Sequence, residues 1–219
     1  MPSLMAKRAE YLGPERRRPL VLDAALEIFA EGGFADASMQ AIADRAGVSK
    51  AVLYDCFPGG KQEIYYALLE RSEQTFMKHM IGVLEGTERM SLEESLAQGL
   101  RAFLDYAEIH PHSFRVIFGE AGTRDPEVAR RSERAREKIV SLMRERTHEV
   151  IRSAGLEPTE ITDVYPRTIV AAGEELARWM LRDPGAPRDR LVDAIVNWFM
   201  RGFSGLLPSE LSRPHLVRD

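Results

Sequence analysis

Residues 38 to 57 read Ser-Met-Gln-Ala-Ile-Ala-Asp-Arg-Ala-Gly-Val-Ser-Lys-Ala-Val-Leu-Tyr-Asp-Cys-Phe. Their hydroxyls, cations and phenol fall at spacings suited to a nucleic-acid groove. Ser38 suits the cap of a first helix whose apolar residues Met39, Ile42, Ala43 and Ala46 recur every three or four positions. Gly47 supplies a tight turn, since a residue without Cβ takes positive φ at little cost. Val48 is the expected apolar plug, and Ser49 caps a second helix reaching Phe57 before Pro58-Gly59-Gly60 stops it. A helix of about 8 residues is on the order of 12 Å long, and the major groove of B-DNA is ~12 Å wide. Val52, Leu53 and Phe57 would face a core, leaving Ser49, Lys50, Ala51, Tyr54 and Asp55 outward. An ordinary αα-hairpin inside a helical core has the same spacing, so spacing alone leaves both readings open.

Further residues fall in register. Glu27-Ile28-Phe29, Gly33-Phe34, Ile42-Ala43, Ala46-Gly47-Val48-Ser49, Val52-Leu53-Tyr54, Phe57 and Lys61 together resemble the N-terminal domain of TetR-type transcriptional regulators over about residues 16 to 70. The resemblance implies a three-helix DNA-binding domain followed by a larger helical domain that binds a small ligand and forms the dimer. It implies phosphate contacts for Ser38, Tyr54 and Lys61. Lys50, Ala51 and Asp55, beside the cap Ser49, would face base edges or nearby phosphates. Two departures stand out: Ala37 where the family commonly has threonine, and three residues rather than two between Phe57 and Lys61. The longer connection puts the Lys61 contact in question. Asp55 suits either a cytosine amino group or repulsion of phosphate, and the sequence leaves both open.

The chain has 219 residues, enough for two helical units. A hydrophobic fraction of 44% and a charged fraction of 29% are those of a soluble globular protein. No apolar run approaches the ~20 residues that span a bilayer, and no secretory h-region opens the chain. One cysteine, Cys56, permits no internal disulfide and suits a reducing cytoplasm. No membrane partner is expected. The net charge of −4 sits awkwardly with nucleic-acid binding. Up to Lys61, the bases Lys7, Arg8, Arg16, Arg17, Arg18, Arg45, Lys50 and Lys61 meet an equal number of acids. Distribution matters more than the sum, and five of these bases lie ahead of residue 19. They form either an arm along the DNA backbone or a solvated leader.

Periodicity predicts an all-α fold. A first helix fits Glu15 to Glu31, with Leu22, Ala25, Leu26 and Phe29 inward, Gly32-Gly33 as its stop and Phe34 as a plug. A long helix from Lys61 to about Leu84 connects the reading head to the rest. Ser91 and Glu94 form a capping box for a helix that His110-Pro111 ends. A short helix with Phe114, Ile117 and Phe118 follows, then one opened by Asp125-Pro126-Glu127 and closed by Gly155. Its mixed charges read as a solvated face. Thr159 to Leu181, with a kink at Pro166, and Arg188 to Leu207 complete the chain. The expected division is a basic leader 1–14, a helix-turn-helix domain 15–62, a ligand-binding and dimerisation domain 63–207 and a tail 208–219.

Candidate cavity walls are Met77, Met80, Ile81, Phe103, Tyr106, Phe114, Phe118, Met143 and Val170, because Met and aromatic residues adapt to irregular apolar guests. Tyr106, His110 and His112 are possible polar handles. Such walls favour a lipophilic ligand, a fatty acyl chain or an aromatic compound. Leu176, Trp179, Met180, Ile195, Trp198, Phe199 and Phe203 give the last two helices more apolar surface than one partner helix covers. The resemblance implies a four-helix dimer interface there, and a two-fold axis suits a pseudo-palindromic operator. His110-Pro111-His112 is a weak metal pattern, and neither a metal nor a cofactor is expected. No nucleophile grouping, phosphate-cradling loop or paired carboxylates point to an enzyme. The expected function is therefore a ligand-responsive DNA-binding regulator, with release of a repressor by its ligand as the favoured mechanism. Activation is mechanically compatible. The rival is a helical protein that sequesters lipophiles without reading DNA, favoured by Ala37 and the acidic balance.

Overall fold

The computed structural model describes residues 13–85, 90–119, 125–153, 155–160 and 162–204. Residues 1–12 of the expected basic leader, residues 205–207 of the last expected helix and the tail lie outside these residues, as does the side chain of Phe203. Helices form every regular element among them: α1 Pro14–Asp36, α2 Met39–Ala46, α3 Lys50–Cys56, α4 Gly60–Leu84, α5 Leu92–Ile109, α6 Pro111–Phe118, α7 Pro126–Ser153, α8 Val164–Arg182 and α9 Arg188–Ser204. The all-α expectation holds.

The described chain divides into two compact units. One comprises the residues up to Thr75 together with His110–Arg136, and the other comprises Phe76–Ile109 and the residues from Glu137 onward. The division differs from the expected one at residue 62, because α6 and the start of α7 pack with the helix-turn-helix. Tyr65 shows why. Its ring meets Phe29 edge-on at 5.2 Å and Phe34 at 5.2 Å, while its hydroxyl lies 3.4 Å from both the Val116 carbonyl and the Ser132 hydroxyl. Phe114 and Phe118, expected in the cavity, are buried in this unit, 4.9 Å apart.

In the second unit Phe76 meets Phe103 and Tyr106 edge-on at 5.5 and 4.9 Å. Arg188, at the start of α9, donates to the Arg101 carbonyl and the carboxylates of Asp105 and Glu108 on α5. Among the described residues no helix is long and apolar enough to cross a membrane.

Three local expectations shift. The inward stripe of α1 is Val21, Ala24, Ala25 and Phe29, with Leu22 and Leu26 half-buried on its flank. Adjacent apolar residues 100° apart make that one-residue choice ambiguous in sequence. α1 carries a break at Gly33 (φ 71°, ψ 178°), so the glycine stop is real but a further turn follows it. Pro166 kinks nothing: α8 begins at Val164, which puts the proline in the first turn, where its missing N–H costs no hydrogen bond.

The capping signals are realised. The Ser91 N–H and hydroxyl both donate to Glu94, and the Glu94 N–H donates back to the Ser91 hydroxyl at 3.2 Å. Asp125 accepts from the N–H groups of Glu127 and Val128 at 2.9 and 3.2 Å. Both carboxyls are held below their ordinary range, Glu94 chiefly by the Ser91 N–H and Asp125 chiefly by the Val128 N–H. A carboxylate lowered in the folded state stabilises it above the unfolded pKa, and that contribution disappears as pH falls through the folded value. Acidification from about pH 6 to about pH 3 is expected to fray the starts of α5 and α7. Amide hydrogen exchange at Glu94 and Val128 checks this; protection factors unchanged across that range would contradict it.

Candidate functional site

The helix-turn-helix is built by its caps. Ser38 is extended (φ −117°, ψ 149°), and its hydroxyl accepts from the Ala41 N–H at 3.0 Å. Gly47 ends α2 in the left-handed region (φ 67°, ψ 31°), with its N–H on the Asp44 carbonyl and the Val48 N–H on the Ala43 carbonyl. Ser49 then caps α3 by accepting from the Val52 N–H at 3.3 Å. Both serines use only acceptor capacity in this way, so each O–H proton can still donate to an anion.

Leu53 and Phe57 are fully buried and fix the roll of α3 on the core. Ser38, Ser49, Lys50, Ala51, Tyr54 and Asp55 are consequently exposed together, Tyr54 by 43%. A walled-in Lys50 or Tyr54 would have ruled out groove contact; neither is walled in. Gln40, absent from the expected set, is exposed in the first turn of α2 and donates to Asp44 at 2.8 Å. A polar side chain two positions after a cap was the available signal for it.

The cations behave differently from their sequence reading. Arg45 pairs with Glu27 and, at 3.8 Å, with Glu31. Lys61, expected on a phosphate, instead donates to the carbonyls of Phe34, Ala35 and Ala37 at 2.8, 3.2 and 2.9 Å. Those bonds use all three donors of the ammonium. Arg18, expected in either a DNA-backbone arm or a solvated leader, donates to the Cys56 carbonyl and lies 4.1 Å from the centre of the Phe57 ring. Cys56 is buried. Burial pushes its thiol up, and Arg17 and Arg18 pull the other way without cancelling the effect.

A cavity of about 490 Å³ lies in the second unit, within the range of small-molecule sites. Met80 and Leu84 of α4, Leu96, Leu100 and Phe103 of α5, Ile139, Leu142 and Met143 of α7, and Ile169 and Val170 of α8 supply its apolar walls. Ser95, Arg146, Thr147, Glu149 and Ser153 also line it; Arg146 pairs with Glu149 at 2.9 Å, and the Thr147 hydroxyl donates to the Met143 carbonyl. Of the expected walls, Met80, Phe103, Met143 and Val170 line this space. Met77 and Ile81 sit beside the Met80–Leu84 row, with Ile81 39% exposed. Tyr106 is consumed by the Phe76 cluster. His110 and His112 belong to the first unit and do not reach the cavity.

On the last two helices, Leu176, Met180 and Phe199 are buried within the single chain. Ile195 is half-buried, and Trp179 and Trp198 are 43% and 64% exposed. The apolar surplus is therefore narrower than the sequence suggested. Among the described residues no group of His, Cys, Asp and Glu could hold a metal ion.

Residues 21–68 match the model of bacterial regulatory proteins of the tetR family, and residues 92–202 match the tetracyclin repressor-like C-terminal domain. The chain belongs to the TetR family of transcriptional regulators. The HTH-type transcriptional activator FasR of Mycolicibacterium smegmatis is 29% identical over 198 residues, covering 90% of this chain and 88% of that protein. A TetR-like regulator from Rhodococcus sp. RHA1 has a TM-score of 0.69 at 25% identity, covering 86% of this chain and 96% of its own. FadR of Bacillus subtilis, solved in complex with stearoyl-CoA, shares the fold with a TM-score of 0.70 at 19% identity, covering 83% and 96%. The relatives are regulators of transcription, not enzymes. In TetR-family terms the first unit carries the DNA-reading helices and the second carries the cavity. The two are linked in sequence by α4, whose residues fall in both.

Proposed function

We propose that this TetR-family regulator works in the cytoplasm as a homodimer on a pseudo-palindromic operator, and that a lipophilic ligand in the second unit releases it from DNA. The observation that carries the reading is the exposure of Lys50, Ala51 and Tyr54 over a recognition helix pinned by buried Leu53 and Phe57. Ser38 and Tyr54 contact phosphate in this reading, with Ser49, Lys50, Ala51 and Asp55 at base edges or adjacent phosphates. Exposed Trp179 and Trp198 support pairing through α8 and α9. The walls of the cavity suit a fatty acyl group, and the acyl-CoA bound to the related FadR supports that class. The ligand acts only through its differential affinity for the two forms of the dimer. Repression is the simplest outcome of an operator occupied without ligand. Activation is the second reading, favoured by the likeness to a relative named as an activator.

Selection of bound duplexes from a random pool, followed by titration with long-chain acyl-CoA, tests the proposal. A preferred duplex with a steep salt dependence and weaker binding on adding acyl-CoA are expected. Equal, weak binding to every duplex would favour the sequestering protein. In the same assay Lys50→Ala should make the salt slope shallower by about one unit if Lys50 neutralises a phosphate; an unchanged slope removes it from that role. Transcription from templates with the operator placed over or upstream of the promoter separates repression from activation.

A further inference from the structure

Two cations, Lys61 expected on a phosphate and Arg18 expected in either a DNA-backbone arm or a solvated leader, donate instead to backbone carbonyls, one at each end of the reading head. The Lys61 ammonium sits over the Phe34 ring at 4.5 Å and bonds the carbonyls of Phe34, Ala35 and Ala37. Those carbonyls follow the left-handed Gly33, where a helix end leaves acceptors without intrahelical partners and where positive charge is favoured. Ala37 immediately precedes Ser38, the cap of α2. Lys61 therefore ties the lead-in of the helix-turn-helix to the first turn of α4.

At the other end, Arg18 donates to the carbonyl of Cys56, the last residue of the recognition helix, covers the Phe57 ring and lies 3.6 Å from Glu63. Glu63 in turn accepts from the Gly59 N–H at 2.8 Å, and the Gly60 N–H reaches the Phe57 carbonyl at 2.9 Å. Gly60, within the three-residue connection between Phe57 and Lys61, is left-handed at φ 67°. The longer connection is braced by the same cluster.

We infer that Lys61 and Arg18 are positioning residues that set the pose of the recognition helix, and that neither neutralises a phosphate. The inference rests on the DNA-binding reading above. A phosphate contact and a positioning contact have opposite signatures. Loss of a phosphate contact weakens all duplexes alike and lowers the salt slope by about one. Loss of positioning misaligns base-edge contacts, so preference falls while the slope stays.

The test is full-length protein carrying Lys61→Met, measured on the selected duplex and on a scrambled one across a salt series, after far-UV circular dichroism has established folding. Expected is at least about a tenfold loss of preference for the selected duplex, with the salt slope and scrambled-duplex affinity of the wild type. Arg18→Met should behave in the same way. Uniform weakening with a slope shallower by about one overturns the inference, as does an unchanged preference. Should Lys61→Met not fold, Lys61→Arg is read instead. It keeps the charge but replaces a three-pronged ammonium by a planar fork, so a reduced preference at unchanged slope supports positioning and full retention overturns it. Absence of a preferred duplex for the wild type would instead sink the regulator reading, and this inference with it.

Discussion

Replacing Phe29 by alanine is expected to destabilise the protein by about 3–5 kcal/mol. Phe29 is 1% exposed and sits between two aromatic partners, stacked on Phe34 at 6.0 Å and edge-on to Tyr65 at 5.2 Å. Removing the ring takes away its transfer free energy and leaves a hole whose walls are held elsewhere: Tyr65 by its hydroxyl at Val116 and Ser132, Phe34 by the ammonium of Lys61. A wall that cannot collapse keeps the cavity and raises the cost. Against a typical stability of about 5–15 kcal/mol, such a loss brings the DNA-reading unit close to unfolding. Urea denaturation of Phe29→Ala beside Leu22→Ala measures it. Leu22 lies on the half-buried flank and should cost less. Equal losses at the two positions would show that the burial pattern described for α1 is wrong.

The second large effect falls on function. Gly47→Val places a β-branched residue at φ 67° and ψ 31°. A side chain there costs roughly 1–3 kcal/mol in the left-handed region, and the turn can relieve that strain by opening. Opening breaks the Val48–Ala43 and Gly47–Asp44 hydrogen bonds that set the angle between α2 and α3. Operator affinity should fall on the order of a hundredfold, with helix content retained, because most helical residues lie outside this turn. Direct binding to the selected duplex, with circular dichroism as control, decides it. Wild-type affinity in this variant would mean that the turn does not orient the reading helix.

Much of the fold was legible because its signals are local. Ser38, Ser49, Ser91 and Asp125 cap where their spacing said they would, since a cap needs only a side-chain oxygen and an N–H two or three residues on. The left-handed turns at Gly47 and Gly155 are likewise set by the residue itself. The apolar spacing of α3 was enough to place Leu53 and Phe57 inward and Lys50 and Tyr54 outward.

The candidate site was read less completely. Phe114 and Phe118 look like cavity walls in sequence, but they fill the core of the other unit. Apolar periodicity states that a face is buried without naming what buries it. The same gap explains Leu176, Met180 and Phe199, which the chain covers by itself, and Leu84, Leu96, Leu100, Ile139 and Ile169, ordinary aliphatics that line the cavity without a distinguishing mark.

By itself the sequence determined the helices, their caps, the glycine-hinged reading motif and the family, all of which depend on neighbours a few positions apart. Tertiary structure alone decided where the charges went. A lysine or arginine in sequence is only a cation on a long stem, equally able to meet a phosphate or a carbonyl. Lys61 and Arg18 find their acceptors 24 to 38 residues away, on backbone whose position exists only once the helices have packed.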